Sequence, residues 1–474
     1  MIKKCFHLIL IIVFGSTAYI SSQTQIGDDI EGLLSGDRFG RNVSLSSDGN
    51  IIAITSGVVA SSSGGRIRVF KNIGGVWTLY GTDINGENFG GIGSISISIS
   101  ADGNTLASAG WGDVVRVFSY DINSGVWTPK GSDIPNNTSA SSFGYSIKLS
   151  SDGNTLAIGS TSAPIVPEAG TTQVFQFEEG MWNQVGNDIV GLLPTEHSGR
   201  SIDMSSEGNI LAISNDESVK VYHNISDTWT LLGTEIIAAG SQSTNRRISL
   251  SSDGSILAIG EPDFTDTLIQ SGRVRVFKYE LGIWNQVGSS IVGEIAYYRT
   301  GWSVSLSANG QILAIGELGS TSGSTDTGRA RIFENQNNAW IQIGNEIFGE
   351  WSEDYASNAS LSSDGTTLAL GSEYNDGNGI DSGHARVFSI MSLLSVNDMP
   401  QSNISIYPNP AKESITIQLP DDIELEKIDI YDNWGRLITS SNKNHINTSK
   451  FTAGTYYVEV LSNQGKMIKK IIVN

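Results

Sequence analysis

Cysteine is all but missing from this chain: one residue, Cys5, in 474. Proline is scarce, at 10, and there are only five histidines. Lysine and arginine, at 29, are outnumbered by 49 acidic residues, for a formal net charge of −20. Each shortage excludes something. One cysteine cannot make an internal disulfide framework. A surface this acidic repels phosphate backbones and anionic membranes, so nucleic acid is not an expected partner. Beyond residue 22 no apolar run is long enough to span a bilayer, so no transmembrane segment is expected in the mature chain. Sustained helical periodicity is missing as well.

The first 22 residues read as a signal peptide. Lys3 and Lys4 give a basic start, Leu8 to Phe14 an apolar core, and Ser16 to Ala18 a small-residue cleavage site, with cutting nearer Ser22 the alternative. Cleavage removes Cys5, which lies before the apolar core and so is not a lipoprotein cysteine. The mature chain then has no thiol chemistry.

What is abundant is glycine, with 54 residues scattered among Ser, Val, Ile and Thr, as suits short strands joined by tight turns. An acidic or amide residue followed by glycine recurs at Asp48, Asp102, Asp152, Glu207, Asp253, Asn309 and Asp364. The period is about 53 residues, in the range of propeller blades. One phrase is written seven times, from SLSSDGNIIAI to SLSSDGTTLAL. Each copy predicts a half-buried strand, a tight corner and a buried strand. The alanines of the second strand (Ala53, Ala107, Ala157, Ala212, Ala258, Ala314 and Ala369) predict close sheet-to-sheet packing. A third strand follows, as in RIRVF or RVRVF. A fourth opens on Trp77, Trp127, Trp182, Trp229, Trp284 or Trp340 and runs on to an isoleucine. These tryptophans are read as structural, packed on the outer strand.

Four strands in each of seven repeats predict an all-β chain with a seven-bladed β-propeller over residues 23–392. The seventh repeat ends at Phe388 without a Trp strand of its own. The missing text stands at the start, Thr24 to Ile30, so the N-terminal strand is expected to complete the last blade and close the ring.

The repeat resembles known families. Phe143 to Ile147, Asp152-Gly153, Leu156 to Gly159 and Val174-Phe175 resemble the FG-GAP repeat of integrin-α-type propellers, and Ser100 to Ser108 with Val115 to Phe118 resembles WD40-like repeats. FG-GAP corners often carry a calcium loop, Asp-x-Asn-x-Asp-Gly-x-x-Asp. Here Lys148, Ser150 and Leu156 stand where the other ligands of the Asp152 corner belong. One carboxylate per corner cannot supply six to eight oxygens. The corners are read as architecture, with no metal and no cofactor expected.

After Phe388 the text changes. Residues 393–401 read as a linker and 402–474 as a small Ig-like β-sandwich, with strand-like runs at 414–419, 427–431, 455–461 and 467–473. This module resembles the type A C-terminal sorting domain of the type IX secretion system. The resemblance rests on Tyr407-Pro408-Asn409-Pro410, the turn at Asp432 to Gly435, Gly454 to Val458, Gly465, and Lys469 to Val473. It implies Sec export, a periplasmic stage and passage across an outer membrane by the type IX secretion machinery, with the protein secreted or held at the cell surface. Pro408, Asn409, Pro410, Gly454, Lys469 and Lys470 are the candidate recognition positions of that signal.

Chemistry is sparse. No two histidines share a metal-binding spacing, and no nucleophile elbow or phosphate loop is present. His384 takes a third-strand place held by Arg273 or Arg329 elsewhere and is read as a repeat variant; His197 is the one histidine in a loop. The better candidates follow from topology. Alternating strands put the two long, varied loop sets of every repeat on one face. That face is expected to carry His197, Arg200, Arg246, Arg247, Tyr297, Tyr298, Arg299, Trp302, Trp351, Asp354 and Tyr355. Arg200, Tyr298, Trp302, Trp351 and Tyr355 are the candidate ligand-binding residues. The leading expectation is a non-enzymatic binding protein for a glycan or surface-protein ligand. The alternatives are a secreted polysaccharide- or protein-degrading enzyme and a structural part of surface adhesion or gliding.

Overall fold

The computed structural model describes residues 23–57, 65–85, 96–110, 114–136, 142–162, 168–237, 245–319, 326–390, 405–420, 423–432, 437–462 and 465–473. The signal-peptide segment, the 393–401 linker and the turn at 433–436 lie outside them. The chain divides into two compact units, Met1–Met391 and Ser392–Asn474. The described elements of both are β-strands.

The first unit holds seven antiparallel sheets. In the third, Ser146–Leu149, Thr155–Ser160, Thr171–Glu178 and Met181–Gln184 pair in chain order. The corner between the first two strands follows from its side chains. Ser150 Oγ donates to Asp152 Oδ1 at 2.5 Å, Asp152 accepts from the Asn154 amide, and Ser150 Oγ accepts from the Thr155 amide. Gly153 turns through a φ of +66°. There its missing side chain leaves room for Thr105 of the preceding blade. All seven second-strand alanines are fully buried, as the close packing of neighbouring sheets requires.

The ring is closed in two ways. Gln23–Gln25 pairs with the last strand, His384–Ile390, and Ile30–Glu31 pairs with its start. The N-terminal text thus completes the seventh sheet. At the corners, backbone amides also link each blade to the next. Ser47 donates to Ala101, Ala101 to Ser151, Ser151 to Ser206, Ser206 to Ser252, Ser252 to Ala308, Ala308 to Ser363, and Ser363 back to Ser47, all at 2.7–3.0 Å. This hydrogen-bonded circuit has no open end.

One element differs from the sequence reading. The Trp strand does not run unbroken to its isoleucine in most blades. It stops at a left-handed glycine, and a two-residue strand such as Ile189–Val190 then returns to the same third strand. The next blade's tryptophan occupies the break. A Cβ on Gly131 would lie 3.0 Å from the Trp182 ring, and Trp182 Nε1 donates to Lys130 O at 2.8 Å. The same bond recurs for Trp77, Trp127, Trp229, Trp284 and Trp340. The tryptophans are structural, but they join blades rather than cover one.

The C-terminal unit has two sheets. Ser405–Tyr407, Ser414–Gln418 and His445–Asn447 form one; Leu437–Ser441, Leu425–Asp432, Gly454–Ser462 and Gly465–Val473 form the other. Ile415, Ile417, Ile428, Ile430, Val458, Val460 and Ile471 are fully buried in a common core. This is the sandwich that period-2 alternation predicts.

Candidate functional site

Four of the loops that lead from one blade into the next share a design. They run from Gly32, Gly191, Gly293 and Gly349. In three, a buried carboxylate folds back to cap two amides of its own loop. Asp37 Oδ2 accepts from Leu33 and Leu34, Glu196 Oε2 from Leu192 and Leu193, and Asp354 Oδ2 from Glu350 and Trp351, at 2.6–3.1 Å. Tyr298 takes the acid's place in the fourth. The residue after it is left-handed each time: Arg38, His197, Arg299 and Tyr355, with φ of 48–53°. Strain of this kind often marks a reactive centre. Its recurrence at one place in four loops makes it architecture here.

The consequence lies at the tips. With their amides tied inward, the three capped loops point Leu33, Leu34, Leu192, Leu193 and Trp351 into solvent, and the fourth exposes Ile295. Leu192 is 77% and Trp351 64% exposed. All lie on the face opposite the Ser-Asp-Gly corners.

The five candidate residues do not form one constellation. Trp351 is exposed at its loop tip. Tyr298 donates to Asp326 Oδ1 at 3.1 Å and lies under the Arg329 guanidinium. Tyr355 meets Tyr374 edge to face at 5.5 Å. Burial first, then nearby carboxylates including Asp326, pushes the Tyr298 and Tyr355 hydroxyls above the ordinary phenol value. Trp302, at the start of the sixth blade, lies under Arg299 at 5.8 Å. These four belong to blades 6 and 7. Arg200 stands apart on blade 4, bonded to Asn245 at 3.3 Å and 5.9 Å from the Tyr145 ring. His197 is held by Asp216 at 2.7 Å.

Two residues expected on the open face are not open. Arg246 is 2% exposed and donates to the Asn215 carbonyl. Asp354 is the buried cap just described. Sequence reasoning missed the caps because their signal, an acid three residues after an exposed apolar residue, varies between Asp and Glu and is absent in one loop. It also missed two buried clusters. Glu261 binds Arg273 and Arg275, and Glu317 binds Arg329 and Arg331.

The axis of the ring is lined by one residue from each first strand. Five are serines (Ser44, Ser98, Ser249, Ser305 and Ser360), and each accepts an amide hydrogen bond from the next blade around the ring. The other two are Lys148 and Asp203, 2.8 Å apart. The enclosed space is about 150 Å³. Among the described lining residues Asp203 is the one carboxylate. No facing acid pair stands among those described lining residues.

In the C-terminal unit the structure brings the candidate signal residues to one edge. Asn409 donates to Lys470 O at 3.1 Å and accepts from the Ile472 amide at 2.9 Å. Gly454 pairs with Val473, Val458 with Lys469 and Tyr457 with Lys470. Pro408 and Pro410 flank Asn409 and are exposed, as is Lys470.

The chain is thus a β-propeller unit followed by a two-sheet module whose two ends are clipped together. Residues 405–474 match the family described as Secretion system C-terminal sorting domain. The chain is accordingly exported through type IX secretion, to be secreted or displayed at the cell surface. Among solved structures it is similar to the β-propeller domain of Cps50 (Swd1) from Myceliophteria thermophila, with a TM-score of 0.52 and 14% identity, covering 78% of this chain and 100% of that one. That likeness supports the propeller fold alone. A putative 6-phosphogluconolactonase from Bacteroides uniformis is also similar, at a TM-score of 0.49 and 14% identity, covering 66% of this chain and 86% of that one. Among curated proteins the chain is 36% identical over 89 residues to ulvan lyase NLR42 of Nonlabens ulvanivorans. The match spans 18% of this chain and 16% of the lyase. No helix among the described residues is long and apolar enough to cross a membrane.

Proposed function

We propose that this protein is a non-enzymatic binding protein that uses the long-loop face of its propeller to hold a protein or glycan ligand outside the cell. The observation behind this reading is the set of apolar loop tips, fixed from beneath by the carboxylates of Asp37, Glu196 and Asp354. Exposed apolar groups lose less entropy on binding when their loops are already ordered. Trp351 is the natural anchor, since aromatic residues carry much of the energy of protein and sugar contacts. A pull-down from surface and secreted proteins, run beside a glycan array, tests the reading. The mature chain should retain a ligand that Trp351→Ala and Leu192→Ser lose while keeping their unfolding temperature. A folded sample that retains nothing in both assays sinks it.

A second reading, a polysaccharide-degrading enzyme, is favoured by the likeness to the ulvan lyase. The match spans 18% of this chain and 16% of the lyase, too little of either to carry the lyase's activity across by itself. Incubation with ulvan and other uronate polymers, followed by the absorbance of unsaturated ends, decides between the two.

A further inference from the structure

The last blade departs from its neighbours at one buried point. In blades 5 and 6 the third strand begins with Arg273 and Arg329. Each is paired with a buried glutamate, Glu261 or Glu317, and Arg329 also holds Glu346 at 2.6 Å. In blade 7 the same place is His384, and the place of the strand-two glutamate is Ser372. The acids now come from the N-terminal segment instead. Glu31 lies directly across from His384 in register. Asp29, two residues earlier, shares that side of the strand.

The result is a cluster short of positive charge. Asp29 Oδ2 is 3.4 Å from His384 Nδ1, and one donor atom each from Asp29, Glu31 and His384 lies within 4.8 Å of the others. His384 is fully buried; its Nδ1 faces Asp29 Oδ2, and its Nε2 has no hydrogen-bond partner among the described residues. Glu31 Oε2 is likewise buried without one. Gln25 occupies the other oxygen of Asp29, leaving Oδ2 free to turn inward. Gly377 makes room for Glu31, since a Cβ there would lie 2.7 Å from its Oε1. Arg386, whose charge reaches Asp29 through space, makes its direct contacts with Glu350 and the Phe348 carbonyl instead.

We propose that Asp29, Glu31 and His384 form a binding site for a divalent transition-metal ion, of which Zn²⁺ is the probe, and that the ion clasps the N-terminal segment to the last blade. One imidazole and two carboxylates are a donor set for such an ion, with a fourth position left to water. The 3.4 Å between Asp29 Oδ2 and His384 Nδ1 is that of neighbouring ligands around a tetrahedral ion with bonds of about 2.0–2.1 Å, and the Glu31 carboxylate, whose donor lies within 4.8 Å of both, turns inward to complete the set. The ion supplies the charge that arginine supplies in blades 5 and 6. Because its ligands lie some 350 residues apart in the chain and meet only when the ring is closed, binding it stabilises closure.

The test uses the mature full-length protein freed of metal with a chelator. Zn²⁺ should bind at one equivalent by calorimetry and raise the unfolding temperature. Co²⁺ should give a visible absorption band. His384→Arg restores the residue of blades 5 and 6, with Asp29 in the place of Glu346; it should fold, lose the strong equivalent and unfold at a temperature indifferent to Zn²⁺. Glu31→Gln should weaken binding at least tenfold, and it carries the comparison if His384→Arg does not fold. Ca²⁺ and Mg²⁺ report the general pull of an acidic surface. The proposal is overturned if wild type binds Zn²⁺ no better than these variants, or binds it without any rise in unfolding temperature.

Discussion

Trp77 Nε1 donates to the carbonyl of Ile26 at 2.8 Å. The bond crosses the joint where the ring closes, so the N-terminal segment is held by blade 7 on one side and blade 1 on the other. No Trp strand remains for the joint between blades 6 and 7. There Gln23 takes over, accepting from the Asn345 amide at 2.8 Å and donating to Ile343 O at 3.4 Å against Gly344. Trp77→Phe should cost about 1 kcal/mol, the value of the lost bond. Trp77→Ala should cost about 3 kcal/mol, because the ring contact goes as well. Chemical denaturation measures both, and equal losses would show that the hydrogen bond, not the packing, dominates the joint.

The Lys148–Asp203 pair in the channel replaces two serines of an otherwise uniform collar. Asp203 also accepts from the Leu250 amide at 2.6 Å, the bond a serine makes elsewhere. Asp203→Ala should therefore destabilise by about 2 kcal/mol, leaving that amide and Lys148 without their acceptor. The double change Lys148→Ser with Asp203→Ser restores the collar and should recover most of the loss. A double variant no more stable than Asp203→Ala would show that the collar needs the ion pair.

Acid stability depends on the corners. Burial pushes the carboxyls of Asp48, Asp102, Asp152 and Asp253 up, but hydrogen bonds from the neighbouring serine and from the residue after the glycine outweigh it and hold each below the ordinary 3.8. Glu261 follows the same rule: burial raises it, and Arg273 and Arg275 bring it below the ordinary 4.5. A carboxyl depressed in the folded state contributes stability that is complete above its unfolded value and fades as the pH falls toward its folded one. Unfolding temperature should therefore drop below about pH 4.5. Blade 6 already uses Asn309 with the same bonds, Ser307 Oγ donating at 2.8 Å and the Gln311 amide at 2.9 Å. Asp253→Asn should thus fold normally at pH 7 and show a shallower acid decline in thermal melts across pH 2.5–7. An unchanged slope would assign the acid sensitivity to other groups.

Substitutions at the edge of the sorting module test folding and export separately. Asn409→Ala removes the clip to Lys470 and Ile472 and should destabilise the C-terminal unit by about 1–2 kcal/mol. Lys470 is exposed, so Lys470→Ala should leave stability unchanged, and both it and the double variant with Lys469→Ala should reduce the surface fraction in cell fractionation. Normal export of the double lysine variant would remove these residues from the signal, whereas deletion of residues 405–474 should trap the protein in the periplasm.

The sequence alone determined the blade count, the corner chemistry, the buried alanines, the completion of blade 7 by residues 24–30, and the sorting tail. The corners, the alanines and the tail are each written within one repeat or one motif, where backbone pairing, side-chain alternation and turn chemistry act over a few residues, and the blade count and the completion of blade 7 follow from comparing the repeats with one another. The tertiary structure decided how the repeats speak to one another. Trp182 finds its acceptor in Lys130, 52 residues away. The long-loop face is less open than its composition implied, because Asp354 and Arg246 turn inward to satisfy buried amides and carbonyls. His384 looked like a neutral variant of an arginine. It became a candidate ligand only when ring closure set Asp29 and Glu31 beside it, since burial and neighbouring carboxylates are properties of the folded surroundings and not of the residue.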